Sequence, residues 1–138
     1  MVRGARYAFV ALAWAFVAGV VLQVFFIGLG LFAGSENLEL HVTLGWILHL
    51  FPILILVAAA LARAGRTRIL QATALAVTVF IVPILATLRA DTPVLAAFHP
   101  VGALLAFWLA IVVARGATSL LRVPDGEASA TAVAPIGG

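Results

Sequence analysis

Residues 40–62 read LHVTLGWILHLFPILILVAAALA, a run whose only ionisable side chains are those of His41 and His49. An α-helix needs about 20 mostly apolar residues to cross a hydrocarbon core about 30 Å thick, and this run supplies them. Three more such runs, at about 7–33, 69–88 and 94–114, leave little of the chain over. Backbone polar groups find no water inside lipid, so each run is expected to be a helix. The four together predict an all-α integral membrane four-helix bundle over residues 1–122, with the lipid bilayer as its first partner. Composition agrees, because 65% hydrophobic and only 9% charged residues, with a mean hydropathy of +1.25, do not describe a water-soluble domain.

The arginines orient the bundle. Lysine is absent, and Arg3 and Arg6 precede the first run, Arg63, Arg66 and Arg68 join the second to the third, and Arg115 and Arg122 follow the fourth. All seven fall on one side. The opposite loops carry Glu36 and Glu39 in one and Arg89 with Asp91 in the other, so the positive-inside rule predicts that both termini are cytoplasmic. The net charge of +3 therefore reports topology and not nucleic-acid binding, since the arginines form no stripe or groove. The first run is too long for the core of a secretory signal and is expected to be a retained helix. Residues 123–138, VPDGEASATAVAPIGG, are small, non-periodic and expected to form a disordered cytoplasmic tail.

Absences remove whole classes of chemistry. Without cysteine there is no thiol redox couple, thiolate metal site or covalent haem attachment. No Asp or Glu lies within a run, which argues against a transporter built on a buried carboxylate. Neither a Ser-His-Asp set nor a glycine-rich phosphate loop after a strand is present.

What remains is imidazole and close packing. Polar rings are costly in hydrocarbon, so His41, His49 and His99 are the candidate functional side chains. His41, Gly45 and His49 follow at steps of four, each step advancing 40° around the helix, so one face carries all three. Gly45 leaves room there for a flat group or another helix. His41 has a bland explanation as an interfacial ring near Glu39, whereas His49 lies about 15 Å deeper and has none. His99 heads the fourth run, on the face shared by Gly102, Ala103, Ala106, Ala110 and Ala114, and Pro100 predicts a kink or helix start beside it. Phe98, Phe107 and Trp108 are expected to face lipid. Ala11, Ala15 and Gly19, continuing to Gln23, and the pair Gly30 and Gly34, read as close-packing seams, with Gln23 near the level of the histidines.

The second and fourth helices enter from the same side, so either His41 or His49 could pair with His99. Two imidazoles from separate helices can hold a haem iron axially, with Arg89 the one basic residue at that end for the propionates. Burial favours His49 over His41 as the partner. Two other readings stay open: a transition-metal or proton-handling site using the three histidines and Gln23, and a non-catalytic bundle whose histidines only bond between helices.

The segments Leu40–His49, Gln23–Gly30 and Ala97–Pro100 resemble an uncharacterised family of small four-helix bacterial membrane proteins, over roughly residues 5–115. The resemblance implies a multi-pass protein of the bacterial inner membrane and carries no activity. In architecture, paired histidines on parallel helices are also similar to the b-type cytochrome subunits and to each half of haem A synthase. Those carry an Arg beside the haem-binding histidine where this chain has Val42 and Pro100. That similarity implies a haem b cofactor and an electron-transfer or redox role, with no enzymatic step assigned. A unit this small is expected to form a homodimer or join another membrane subunit.

Overall fold

Each apolar run forms a helix in the computed structural model, which describes residues 1–122. Residues 123–138, where the tail was expected, lie outside the described residues. Helix α1 (Val2–Phe32) is the first span. A 3₁₀ turn (Ser35–Asn37) leads into α2 (Leu38–Leu48) and α3 (Leu50–Leu61), which together make the second. Helix α4 (Arg66–Thr87) is the third span, and α5 (Pro93–Ala96) with α6 (Phe98–Leu120) the fourth. All four are long and apolar enough to cross a membrane, and no strand occurs among the described residues.

Two of the links turn on glycine. Gly34 has φ +141° and Gly65 has φ +83°, backbone conformations that a Cβ disfavours. Asn37 Nδ2 donates to the Gly34 carbonyl at 3.1 Å and closes the first turn. The last helix runs to Leu120, beyond the end expected near residue 114. Arg115 and Gly116 do not interrupt it, and Arg68 bonds the Gly116 carbonyl from α4.

Proline sets the breaks inside spans two and four. The helix is interrupted at His49, three residues before Pro52, and at Ala97, three residues before Pro100. A proline lacks the N–H for the carbonyl four residues back and its ring crowds that carbonyl, so the ladder fails in the preceding turn. His99 accordingly lies in the first turn of α6, two residues past the break, and does not itself start the helix.

Helix α1 packs on α2, α3 and α6, and α4 packs on α3 and α6. The tight core lies toward the arginine-rich end, around Phe9, Phe16, Ile55, Leu75 and Val113. Toward the other, distal end no residue of α4 beyond Val79 and none of α6 before Ala106 is fully buried. Extended contact between α2 and either α4 or α6 is absent among the described residues.

One seam differs from the sequence reading. Ala11 and Ala15 are exposed, and the buried stripe of α1 is Arg6, Phe9, Ala13, Phe16 and Gly19. A strict step of four drifts 40° per repeat and leaves the interface, whereas alternating threes and fours stay on it. The seams at Gly19 and Gly30 do form, seating Leu48 and Leu38 of the second span. In α6, Ala106, Ala110 and Ala114 are buried as expected, Phe98 and Trp108 are exposed, and Phe107 is half-buried.

Candidate functional site

The missing contact between α2 and both α4 and α6 leaves a cavity of ≈ 230 Å³ in the distal half. Helix α1 contributes Phe16, Val20 and Gln23 to its wall, and α2 contributes His41, Gly45 and Trp46. His49 at the break, Val79, Val82 and Pro83 of α4, and His99 and Ala103 of α6 complete most of the rest. All three histidines, Gly45 and Gln23 thus border one space, although their helices are far apart in sequence. Val42 and Trp46 also border it and are exposed, so the cavity opens toward the lipid-facing side of α2.

Each imidazole is held in the same way. His41 Nδ1 lies 3.1 Å from the Gln23 carbonyl on α1, and His99 Nδ1 lies 2.9 Å from the Val82 carbonyl on α4. His49 Nδ1 lies 2.6 Å from the Gly45 carbonyl of its own chain segment. A carbonyl only accepts, so each Nδ1 carries the proton and donates, and each Nε2 keeps its lone pair. That is the tautomer a metal-ligating histidine adopts when a backbone carbonyl orients it.

The ring beside His99 belongs to His41. Their centroids are 6.4 Å apart with the planes at 71°. Two imidazoles sharing one metal would have centroids about 6.4–6.6 Å apart, from metal–nitrogen bonds of about 2.0–2.1 Å each continued by about 1.2 Å to the ring centre, so the observed separation matches such a pair in length alone. His49 has other neighbours, the rings of Trp46 and Phe80, each with its centroid 5.6 Å away. Among the described residues no group of three His, Asp or Glu side chains stands together as a metal site. The three-histidine cluster kept open by the sequence is therefore not formed, because the rings divide into a pair and a separate single ring.

Gly45 makes room for Gln23. A Cβ at Gly45 would come within 2.9 Å of Gln23 Nε2, so the amide lies against the bare backbone of α2. Its Oε1 and the Nε2 of His49 are buried with no hydrogen-bond partner among the described residues. Leaving such an acceptor unmet costs about 1–3 kcal/mol. Arg89 does not border the cavity and stands exposed in the link between α4 and α5.

The sequence reading assigned nothing to the third span, yet α4 supplies the carbonyl that orients His99 and the ring against His49. A backbone acceptor leaves no mark in a sequence, and Phe80 reads as one more lipid-facing residue. Pro83, alone in the middle of an apolar run, was the available signal.

A family of unknown function (DUF6220) matches residues 23–89, just under half of the chain. The match begins at Gln23, contains His41, Gly45 and His49, and ends at Arg89, in keeping with the resemblance read from Gln23–Gly30 and Leu40–His49. His99 lies outside it. No curated protein and no solved structure matches the chain, so the likeness to b-type cytochromes rests on the arrangement of histidines alone.

Proposed function

We propose that this protein is a small redox subunit of the bacterial inner membrane that binds haem b, with His41 and His99 as the residues that would hold its iron. The carrying observation is the pairing of those two rings at a separation suited to a shared metal, with both Nδ1 protons committed to backbone carbonyls. Haem would supply one-electron chemistry. The chain's own part is to hold two neutral imidazoles from α2 and α6, with their orientation set by carbonyls of α1 and α4. Apolar walls keep water away, a lever on the potential of any iron held there. The cavity of ≈ 230 Å³ is smaller than the about 300–1,000 Å³ typical of enclosed ligand pockets. A macrocycle would therefore be only partly enclosed, with its remainder on the open side by Val42 and Trp46. As part of this reading both termini are cytoplasmic, and the redox partner is a second copy or another membrane subunit.

One observation favours a second reading. The His41 and His99 bonds each join two spans, and such bonds contribute about 0.6 kcal/mol on average in membranes, so the rings could serve only as staples. Absorption spectra of the protein expressed with haem supplementation, oxidised and reduced, decide between them. Haem binding predicts a six-coordinate low-spin spectrum, and a colourless protein with normal stability leaves the staples.

A further inference from the structure

The end of the bundle opposite the cavity carries Arg3, Arg6, Arg63, Arg66, Arg68, Arg115 and Arg122, and no carboxylate among the described residues. Asp125 and Glu127, which follow in the sequence, are too few to balance seven arginines. Two of the seven come to one edge. Arg68 of α4 reaches round α6, donating to the Gly116 carbonyl and to Ser119 Oγ, and it also donates to the Ala64 carbonyl. These acceptors are neutral, so they aim the guanidinium without cancelling its charge. Arg115 lies one turn before Ser119 and about 40° from it around α6, and both are exposed. Close by, Trp14 Nε1 donates to Thr118 Oγ1 at 3.1 Å, and this exposed indole marks the headgroup level at which such rings settle. Beyond Arg115 the same face of α6 turns apolar. Val112, Trp108 and Leu104 continue it at steps of three and four, with Trp108 and Leu104 exposed. From Arg115 to Leu104 is about 16 Å at 1.5 Å per residue, and one leaflet's hydrocarbon is about 15 Å deep.

We propose that Arg68, Arg115 and Ser119 bind the phosphate of an anionic phospholipid, whose acyl chain lies along Trp108 and Leu104. Guanidinium groups suit phosphate oxygens in both charge and geometry. A zwitterionic headgroup brings its own cation beside the phosphate, so it answers two neighbouring guanidinium charges less well than a net-negative one does. The apolar rail beneath the charges selects a lipid over a free phosphate ion. Seated there, the headgroup joins the ends of α4 and α6. The site lies at the far end of the bundle from the cavity and does not rest on the haem reading.

The test places the full chain in vesicles of equal parts dioleoylphosphatidylglycerol and dioleoylphosphatidylcholine, with bromine on the acyl chains of one lipid and then of the other. Bromine quenches tryptophan only at close range, and Trp14→Phe with Trp46→Phe leaves Trp108 as the sole reporter. Quenching should show phosphatidylglycerol preferred on the order of tenfold, and Arg115→Gln should reduce that preference about fivefold, the usual weight of one arginine at an anionic surface. Arg115→Lys should keep most of it. Arg3→Gln removes a charge about 16 Å along α1 from Trp14, more than a screening length away, and should leave the preference unchanged. Native mass spectrometry of the chain with its tryptophans intact is a second readout, so a misfolded reporter variant does not silence the test. There, retained phosphatidylglycerol should outnumber phosphatidylcholine and fall in Arg115→Gln. Equal quenching by the two lipids, a preference unmoved by Arg115→Gln, or an equal fall in Arg3→Gln would overturn the site. So would a preference erased by inorganic phosphate in the buffer, which would hand the charges to the free ion. Trp108 shielded from both brominated lipids would overturn it as well, because a second copy or another protein would then cover the face.

Discussion

His41 and His49 lie two turns apart on one span, about 12 Å along its axis, and their neighbours give them different work. His41 stands beside His99 and is oriented by α1, whereas His49 is packed between Trp46 and Phe80 and oriented from within its own span. Burial alone ranked His49 first as the partner of His99. The ranking ignored direction, which depends on how α2 rotates about its axis beyond the Pro52 break and which periodicity leaves open. The haem reading therefore predicts that His41→Ala and His99→Ala each remove the low-spin spectrum, while His49→Ala retains most of the bound haem. Haem content per purified protein measures this. A bleached His49→Ala alongside a coloured His41→Ala would move the axial pair to His49 and His99. That Gln23, Gly45 and all three histidines would lie near one level of the bundle was legible in the sequence, because costly polar groups in lipid have few places to go. Their division into an axial pair and a separate acceptor was not.

Between elements, the fit of α6 against α4 positions His99. A Cβ at Gly102 would lie 2.7 Å from a methyl of Val82, the residue whose carbonyl receives the His99 proton. A β-branched side chain on a helix has little freedom to yield. Gly102→Ala should therefore force the helices apart and destabilise by about 1–3 kcal/mol, the usual range for overpacking, and it should loosen His99 as well. Gly28 is the matched control: nothing lies within 4 Å of a Cβ there, and alanine is the better helix former by about 0.5–1 kcal/mol. Reversible unfolding in detergent should show Gly102→Ala less stable than the parent and Gly28→Ala equal or more stable. A second link lies at the arginine-rich end, where Arg68 donates to the Gly116 carbonyl at 2.9 Å, the Ala64 carbonyl at 3.0 Å and Ser119 Oγ at 3.0 Å. One planar guanidinium makes all three, so Arg68→Lys should recover only part of the stability lost in Arg68→Ala, a loss of about 1–2 kcal/mol after allowing for partial exposure. If lysine restored full stability, Arg68 would be acting as a charge at the membrane edge and not as a clamp. The sequence reading had treated it as charge alone, since three acceptors from α6 and the α3–α4 turn converge on it only once the helices are packed.

For the whole molecule, four spans place Arg3, Arg6, Arg63, Arg66, Arg68, Arg115 and Arg122 near one end of the bundle, and Glu36, Glu39, Arg89 and Asp91 near the other. Hydropathy made the spans legible because the bilayer imposes length and apolarity on every crossing helix. It could not foretell that one half of the bundle packs tightly while the other holds a cavity, since both halves are apolar; the looser half is the one in which the helices of the second and fourth spans are interrupted, at His49 and Ala97. The positive-inside rule expects the arginine-rich loops to stay in the cytoplasm during insertion, which would put the cavity in the outer leaflet. A reporter fused after Gly138 should therefore be active only in its cytoplasmic form, and a cysteine placed in the Ser35–Asn37 turn should be labelled by an impermeant thiol reagent in intact cells. The native chain has no cysteine, so such labelling has no background of its own. Labelling only after permeabilisation, together with a periplasmic reporter at Gly138, would invert the protein and place the His41–His99 cavity in the cytoplasmic leaflet. With the expected outcome the cavity lies in the outer leaflet, and under the haem reading a redox partner would have to reach it from the periplasmic side or through lipid.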